Sequence, residues 1–192
     1  MSKTKTKTKK KVNPYDSIPF GATEEQHEVL REWLDLDAKS GSGWNPHSYR
    51  GKNDILTKHN RKALQRAFDK YKIKNVVVEF DGCGDSGQIE QVLVNGETYE
   101  NRASQTAYDF ISHTGSTYCG DGTRNHGWAL NPSLYDAIES YCYGILEGEH
   151  GGWEINGGSF GSFNFQNKNG KFTCTLEMNE RIEETHSSTE SY

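Results

Sequence analysis

The chain is poor in aliphatic residues and has no long apolar stretch. Leu, Ile, Val and Phe make up about 18 % of its 192 residues, just under the roughly 20 % below which charged chains tend to disorder. No apolar run approaches the ~18 residues of a membrane-spanning helix, so no membrane partner is expected. The basic N-terminus lacks the apolar h-region of a secretory signal. It also lacks the arginines and amphipathic periodicity of a transit peptide. The four cysteines (Cys83, Cys119, Cys142, Cys174) form no CxxC pair. Without a secretory signal they are expected to be reduced thiols of a cytoplasmic protein. No complete cofactor, metal or catalytic motif is present, which leaves function open between binding and catalysis.

What the chain does have is aromatic mass: four Trp, ten Tyr and eight Phe. Each buries on the order of 150–250 Å², enough to build a core that the aliphatics alone do not supply. The length fits one domain. Residues 1–13 (MSKTKTKTKKKVN) contain Lys3, Lys5, Lys7, Lys9, Lys10 and Lys11 and nothing to bury, so they are expected to form a disordered arm. Without those six lysines the remainder carries 16 basic and 27 acidic residues, a net charge of −11. An arm of lysines can neutralise phosphates in a salt-sensitive way. It has no arginine or aromatic for base readout or stacking. The acidic body suits a basic protein surface better than nucleic acid. A single domain is expected over 14–184, with a variable insert at 97–130 and a flexible tail at 185–192.

Thr23, followed by Glu24, Glu25 and Gln26, has the form of a capping box. Val29, Leu30, Trp33 and Leu34 then recur at helical spacing to about Ala38. Residues 44–56 read as a loop and 58–71 as a second helix, with Leu64, Ala67, Phe68 and Tyr71 on one face. NVVVEF (75–80) and 88–94 read as paired strands joined by a long glycine-rich tip. A short helix is expected near 103–112, followed by a loop. Asn131-Pro132 predicts the start of a third helix, whose stripe is Leu134, Ile138, Tyr141, Cys142, Ile145 and Leu146. Strands are expected at 153–156, 159–166 and 171–178. The order predicts an α+β fold: an antiparallel sheet of about five strands with helices mainly on one face.

Cys83-Gly84-Asp85-Ser86-Gly87 looks like the nucleophile loop of chymotrypsin-like proteases. Two helices precede it, however, and Gln88 stands where a second glycine belongs, so that reading is rejected. Carboxylates around the same turn (Glu79, Asp81, Asp85, Glu90) are of the kind that binds a divalent cation through hard oxygen ligands. No other cofactor is expected. An EF-hand is excluded because Val92 occupies the twelfth position. His150 and Glu154, at a helix-to-strand junction, are candidates to join Asp81 and Asp85 as general base and ligand. The alternative is a glycine-assisted helix end, with His150 at the C-terminal dipole and Trp153 closing the core. Cys119 and His126, with Cys83, supply only part of a zinc site. Cys142 and Cys174 are expected to be small core hydrophobes.

Three strings, DGCGDSGQIE, HGGWEINGGSFGSFNFQ and LEMNERIEE, together resemble a family of uncharacterised bacterial, plasmid and phage proteins. The resemblance covers residues 74–184 except for the 97–130 insert. It carries no activity, but it marks Asp81, Asp85, Ser86, His150, Trp153, Glu154, Glu177, Asn179, Glu180 and Arg181 as positions to test. Met178 stands where the family has a histidine. The resemblance implies a phage or mobile-element origin and a host-directed role in the host cytoplasm. The leading expectation is a non-enzymatic acidic protein that binds a host or defence protein, with Ser86, Trp153, Glu177, Asn179, Glu180 and Arg181 as binding positions. The alternatives are a metal-dependent phosphodiester or nucleotide hydrolase built on Asp81, Asp85, His150 and Glu154, and a nucleic-acid accessory protein tethered by the lysine arm.

Overall fold

The computed structural model describes residues 13–40, 46–99, 105–119 and 124–182. The six arm lysines and the 185–192 tail lie outside the described residues. A 3-10 turn at Pro14–Ser17 leads to α1 (Glu24–Ser40) and α2 (Pro46–Tyr71). Strands β1 (Asn75–Cys83), β2 (Ser86–Val94), β3 (Glu97–Thr98), β4 (Ile111–Tyr118) and β5 (Arg124–Leu130) follow. Helix α3 (Leu134–Glu149) and strands β6 (Ser159–Lys168) and β7 (Lys171–Glu180) complete the order. The fold is α+β: a five-stranded antiparallel sheet ordered β3-β2-β1-β6-β7, and a separate two-stranded sheet of β4 and β5.

The capping box at the start of α1 is real. The Gln26 N–H donates to Thr23 Oγ1 at 3.2 Å and the Thr23 N–H donates to Gln26 Oε1 at 3.0 Å. The buried stripe of α1 is Leu30, Trp33, Leu34 and then Asp37, so the apolar face ends on a carboxylate.

Helix α2 is longer than its apolar spacing predicts, because residues 46–56 are helical rather than a loop. Pro46 suits a first helical turn. Asn53, Thr57 and Asn60 continue the inward face with polar groups, which hides the period. Asn60 exchanges hydrogen bonds with the Ile111 backbone, and Asn53 Nδ2 donates to the Gly144 carbonyl.

On one face of the large sheet, Val76, Val78, Phe80, Phe163, Phe165 and Phe172 pack with Leu64, Phe68, Ile138 and Leu146 of α2 and α3. The other face turns Glu79, Thr175 and Glu177 to solvent. The 81–87 tip is shorter than expected. Pairing continues to Cys83↔Ser86, leaving a two-residue turn in which Gly84 and Asp85 both have positive φ. Such a turn matches the twist of the strands it joins.

Three further expectations are corrected. Residues 105–110 are not helical, and the loop reading of 116–128 is replaced by the β4–β5 hairpin; Asp109, with φ of 63°, is left-handed and breaks any helix there. Helix α3 is capped by Ser133, whose side chain accepts from the Asp136 N–H, and not by Asn131. Asn131 instead accepts hydrogen bonds from the Asp109 N–H and from Gln26 Nε2. Residues 153–156 are successive turns rather than a strand, with positive φ at Gly152, Asn156 and Gly158. Among the described residues, no helix is long and apolar enough to cross a membrane.

Candidate functional site

The structure brings DGCGDSGQIE, HGGWEINGGSFGSFNFQ and LEMNERIEE together, but as a structural clamp. Trp153 is buried and lies over Gly82 and Gly87 of the β1–β2 hairpin. A Cβ at Gly82 would stand 2.8 Å from the indole, and one at Gly87 would overlap it. The indole also meets Phe80 edge-on at 5.6 Å. The Gly84 and Asp85 N–H groups donate to the Asn156 and Glu154 carbonyls, both at 3.0 Å. Just past the end of β7, Arg181 donates to Asp81 Oδ2 at 2.6 Å and to the Gly82 carbonyl at 2.8 Å, and its guanidinium sits over Phe160. The fit explains why glycine and a large indole are needed at these positions.

The candidate residues are thereby accounted for one by one. Asp81 is paired with Arg181, and Asp85 occupies the turn and meets Glu154 through backbone alone. His150 is the C-cap of α3, its N–H donating to the Leu146 carbonyl at 2.9 Å. Glu154 has one carboxylate oxygen, Oε2, that is buried with no hydrogen-bond partner. Ser86 Oγ donates to the Cys83 carbonyl. Glu177, Asn179 and Glu180 lie exposed along β7, an edge strand of the sheet. A cleft of about 470 Å³ runs beside this clamp and is lined by His150, Trp153, Asn156, Glu180 and Arg181. Among the described residues no group of three or more His, Cys, Asp or Glu is placed to hold a metal ion. The cation set Asp81, Asp85, Glu90 and the zinc set Cys83, Cys119, His126 are therefore not assembled. Glu90 accepts from Gln88, Cys83 reaches the Asn156 carbonyl, and His126 faces Asp37. Cys142 is fully buried, and burial pushes the Cys174 thiol up to about 12, so both are unreactive in the core.

A different group of residues forms the larger concavity. It measures about 600 Å³ and lies among α1, the N-terminal half of α2, α3 and the β4–β5 hairpin. At one end sits Asp37. Its Oδ1 accepts from Lys52 and, at 3.2 Å, from Arg124 Nη1, while its Oδ2 lies 3.1 Å from His126 Nε2. Burial opposes ionisation of Asp37, but the hydrogen bonds from His126 and Lys52 outweigh it and hold the carboxyl well below the usual carboxylate range. An ionised carboxylate only accepts, so His126 presents a proton on Nε2 to Asp37; 3.3 Å from His113 Nε2 lies its other ring nitrogen, Nδ1. That nitrogen is 2.8 Å from Ser116 Oγ. The same hydroxyl is 3.2 Å from His113 Nε2.

Aromatic packing fixes these groups. The Trp33 ring centroid lies 5.1 Å from His113, 4.8 Å from His126 and 4.9 Å from Trp128. The His113 ring, flanked by Trp33 and Trp128, has its pKa pushed down to about 4, by burial first and then by His126 and Lys52, with Asp37 opposing them. It is neutral at pH 7. The opposite wall, from α3, presents Glu139 and Glu147, whose carboxyl pKa values burial raises.

Of these residues the sequence pointed to Trp33 as part of a helix stripe and to His126 as part of a zinc site. The observed pairing of β4 with β5 places Ser116 directly opposite His126.

Comparison with known proteins gives one match. A family of unknown function, DUF6878, matches residues 56–192. No curated protein and no solved structure matches the chain. The matched region spans α2 from residue 56, both sheets and α3, and leaves α1 ahead of it. This chain belongs to DUF6878, a family of unknown function.

Proposed function

We propose that the chain is a binding protein whose ligand is a small polar molecule held in the cavity among α1, α2, α3 and the β4–β5 hairpin. The observation that carries this reading is the convergence there of aromatic and polar side chains from all four elements on a space of about 600 Å³. That volume is in the range of small-molecule sites, which combine an aromatic lining with a few placed polar groups. Asp37, Lys52 and Arg124 leave one excess positive charge at one end, and Glu139 and Glu147 stand at the other. A ligand with an anionic or strongly accepting end suits the first wall.

The test is a thermal-shift screen of small polar compounds against the wild type and Ser140→Phe, a substitution that fills the cavity. Saturation at ~100 Kd adds about 2.7 kcal/mol, which for this chain length is a rise of roughly 5–10 °C in Tm. Loss of the shift in Ser140→Phe places the ligand in the cavity. A shift equal in both proteins removes this reading.

A second reading keeps a protein partner. The uncovered sheet face aligns Glu79, Ser162 and Glu177 in one cross-strand row. Two exposed carboxylates on a flat polar face favour a basic surface, in a host or defence protein of the host cytoplasm if the chain comes from a phage or mobile element. Salt-sensitive binding of the purified partner that is lost in Glu79→Lys with Glu177→Lys would support it. Binding indifferent to both changes would remove it.

A further inference from the structure

We propose that Ser116 is a nucleophile for acyl transfer, with His126 as its general base and Asp37 as the group that orients the base. This rests on the cavity being a ligand site and names the chemistry available within it.

The geometry has the three parts such a site needs. Ser116 Oγ stands 2.8 Å from His126 Nδ1 on the cavity wall. His126 Nε2 stands 3.1 Å from Asp37 Oδ2. Asp37 is fixed in turn through Oδ1 by Lys52 and Arg124. The two imidazole nitrogens are exchanged relative to the familiar serine-hydrolase arrangement. Either nitrogen serves when the carboxylate fixes the tautomer from the other side. The three residues come from separate places: Asp37 from α1, Ser116 and His126 from facing positions of β4 and β5. His126 is buried, whereas Ser116 is exposed on the hairpin, as attack on an incoming substrate requires.

The step balances. Ser116 Oγ attacks the carbonyl carbon of a bound ester as its proton passes to His126 Nδ1, and the carbonyl π pair moves to oxygen. When the intermediate collapses, the bond to the leaving alkoxide breaks and His126 returns the proton to that oxygen. A water then repeats the sequence on the acyl-serine and releases the acid. The substrate class is a small ester that fits about 600 Å³.

The experiment treats the full chain with a fluorophosphonate probe and maps the product by mass spectrometry. Ser116 Oγ would form the P–O bond, fluoride would leave, and the proton would pass to His126. The expected result is one adduct, on Ser116, absent in Ser116→Ala and formed at least tenfold more slowly in Asp37→Asn. A general base contributes about 10²–10⁴-fold, so the wild-type rate should also fall once acid protonates an imidazole. Ser116→Ala alters an exposed side chain and should keep the wild-type circular dichroism. If Asp37→Asn does not fold, the wild-type pH profile decides. No adduct on folded wild type, an adduct elsewhere, or a Ser116 rate that ignores pH overturns the proposal. Compounds that raise the Tm of wild type and Ser116→Ala alike, with no adduct on wild type, would retain the ligand site and remove the nucleophile.

Discussion

Ser116 and His126 are direct cross-strand partners in the β4–β5 hairpin, and their side chains meet at 2.8 Å over the carboxylate-bearing end of α1. The hairpin is thus tied to the first helix through a chain of polar contacts, and those contacts set how the protein should respond to substitution.

Removing the Asp37 carboxylate strands two cations. Lys52, Arg124 and the Nε2 proton of His126 all lose their acceptor. Asp37→Ala is expected to cost about 3 kcal/mol, the lower end for breaking a buried ion pair, because both cations keep some contact with solvent. Urea denaturation at pH 7 checks this. Ser116→Ala, measured alongside, should change stability by less than about 1 kcal/mol.

Gln26 is fully buried and its side chain serves three neighbours. Its Oε1 closes the capping box, while its Nε2 donates to the Phe110 carbonyl and to Asn131 Oδ1. Gln26→Ala leaves these groups unmatched, and a loss of about 1–3 kcal/mol is expected in urea denaturation. Gln26→Glu keeps the cap but not the donor, so it should recover only part of the loss.

The Trp153 seat predicts intolerance of a single methyl group. Gly87→Ala drives a Cβ into the indole, and overpacking of this kind costs about 1–3 kcal/mol. Trp153→Ala empties the seat, at about 3–5 kcal/mol. In the double variant the alanine no longer clashes, so the two losses should fall short of additivity in a double-mutant cycle.

Acid should weaken the hairpin region in two stages. The pKa of His113 is about 4 in the fold and about 6.5 when unfolded. Between these values the unfolded chain takes up a proton that the folded chain refuses, so stability falls as pH drops through that window. The Asp37 pKa is depressed. Its contribution is present above a pH of about 4 and is lost as pH falls further. Between about pH 6.5 and 4 the Tm should fall more steeply in the wild type than in His113→Gln, because the raised carboxyl pKa values of Glu139 and Glu147 act in both proteins alike.

The sheet was legible because its strands carry clean signals. Phe172, Cys174, Leu176 and Met178 alternate with polar residues, and Asn169-Gly170 makes the turn between β6 and β7. The third helix was legible from its stripe, and the first from Thr23 and Gln26. The front half of α2 was not, because its inward face is built from Asn53, Thr57 and Asn60, which pair with backbone and line a cavity. Strands β4 and β5 were hidden because their middle positions pair Gly115 with Gly127, Ser116 with His126 and Thr117 with Asn125, which gives no alternation of hydrophobes. The glycine-rich strings drew attention to Asp81, Asp85 and His150, yet what unites them in space is the lodging of Trp153. The Ser116, His126 and Asp37 grouping depends on a contact between residues 37 and 126, a distance in sequence that no local pattern encodes.

Helix α1 lies ahead of the region that matches the family, yet it supplies Asp37 and Trp33, which orient both imidazoles. The sheet and its Trp153 clamp belong to the shared part, whereas the electrostatics of the cavity depend on an element in front of it. Exchanging that one helix would retune the cavity while leaving the sheet intact, so the fold separates the part that holds its shape from the part that sets its chemistry.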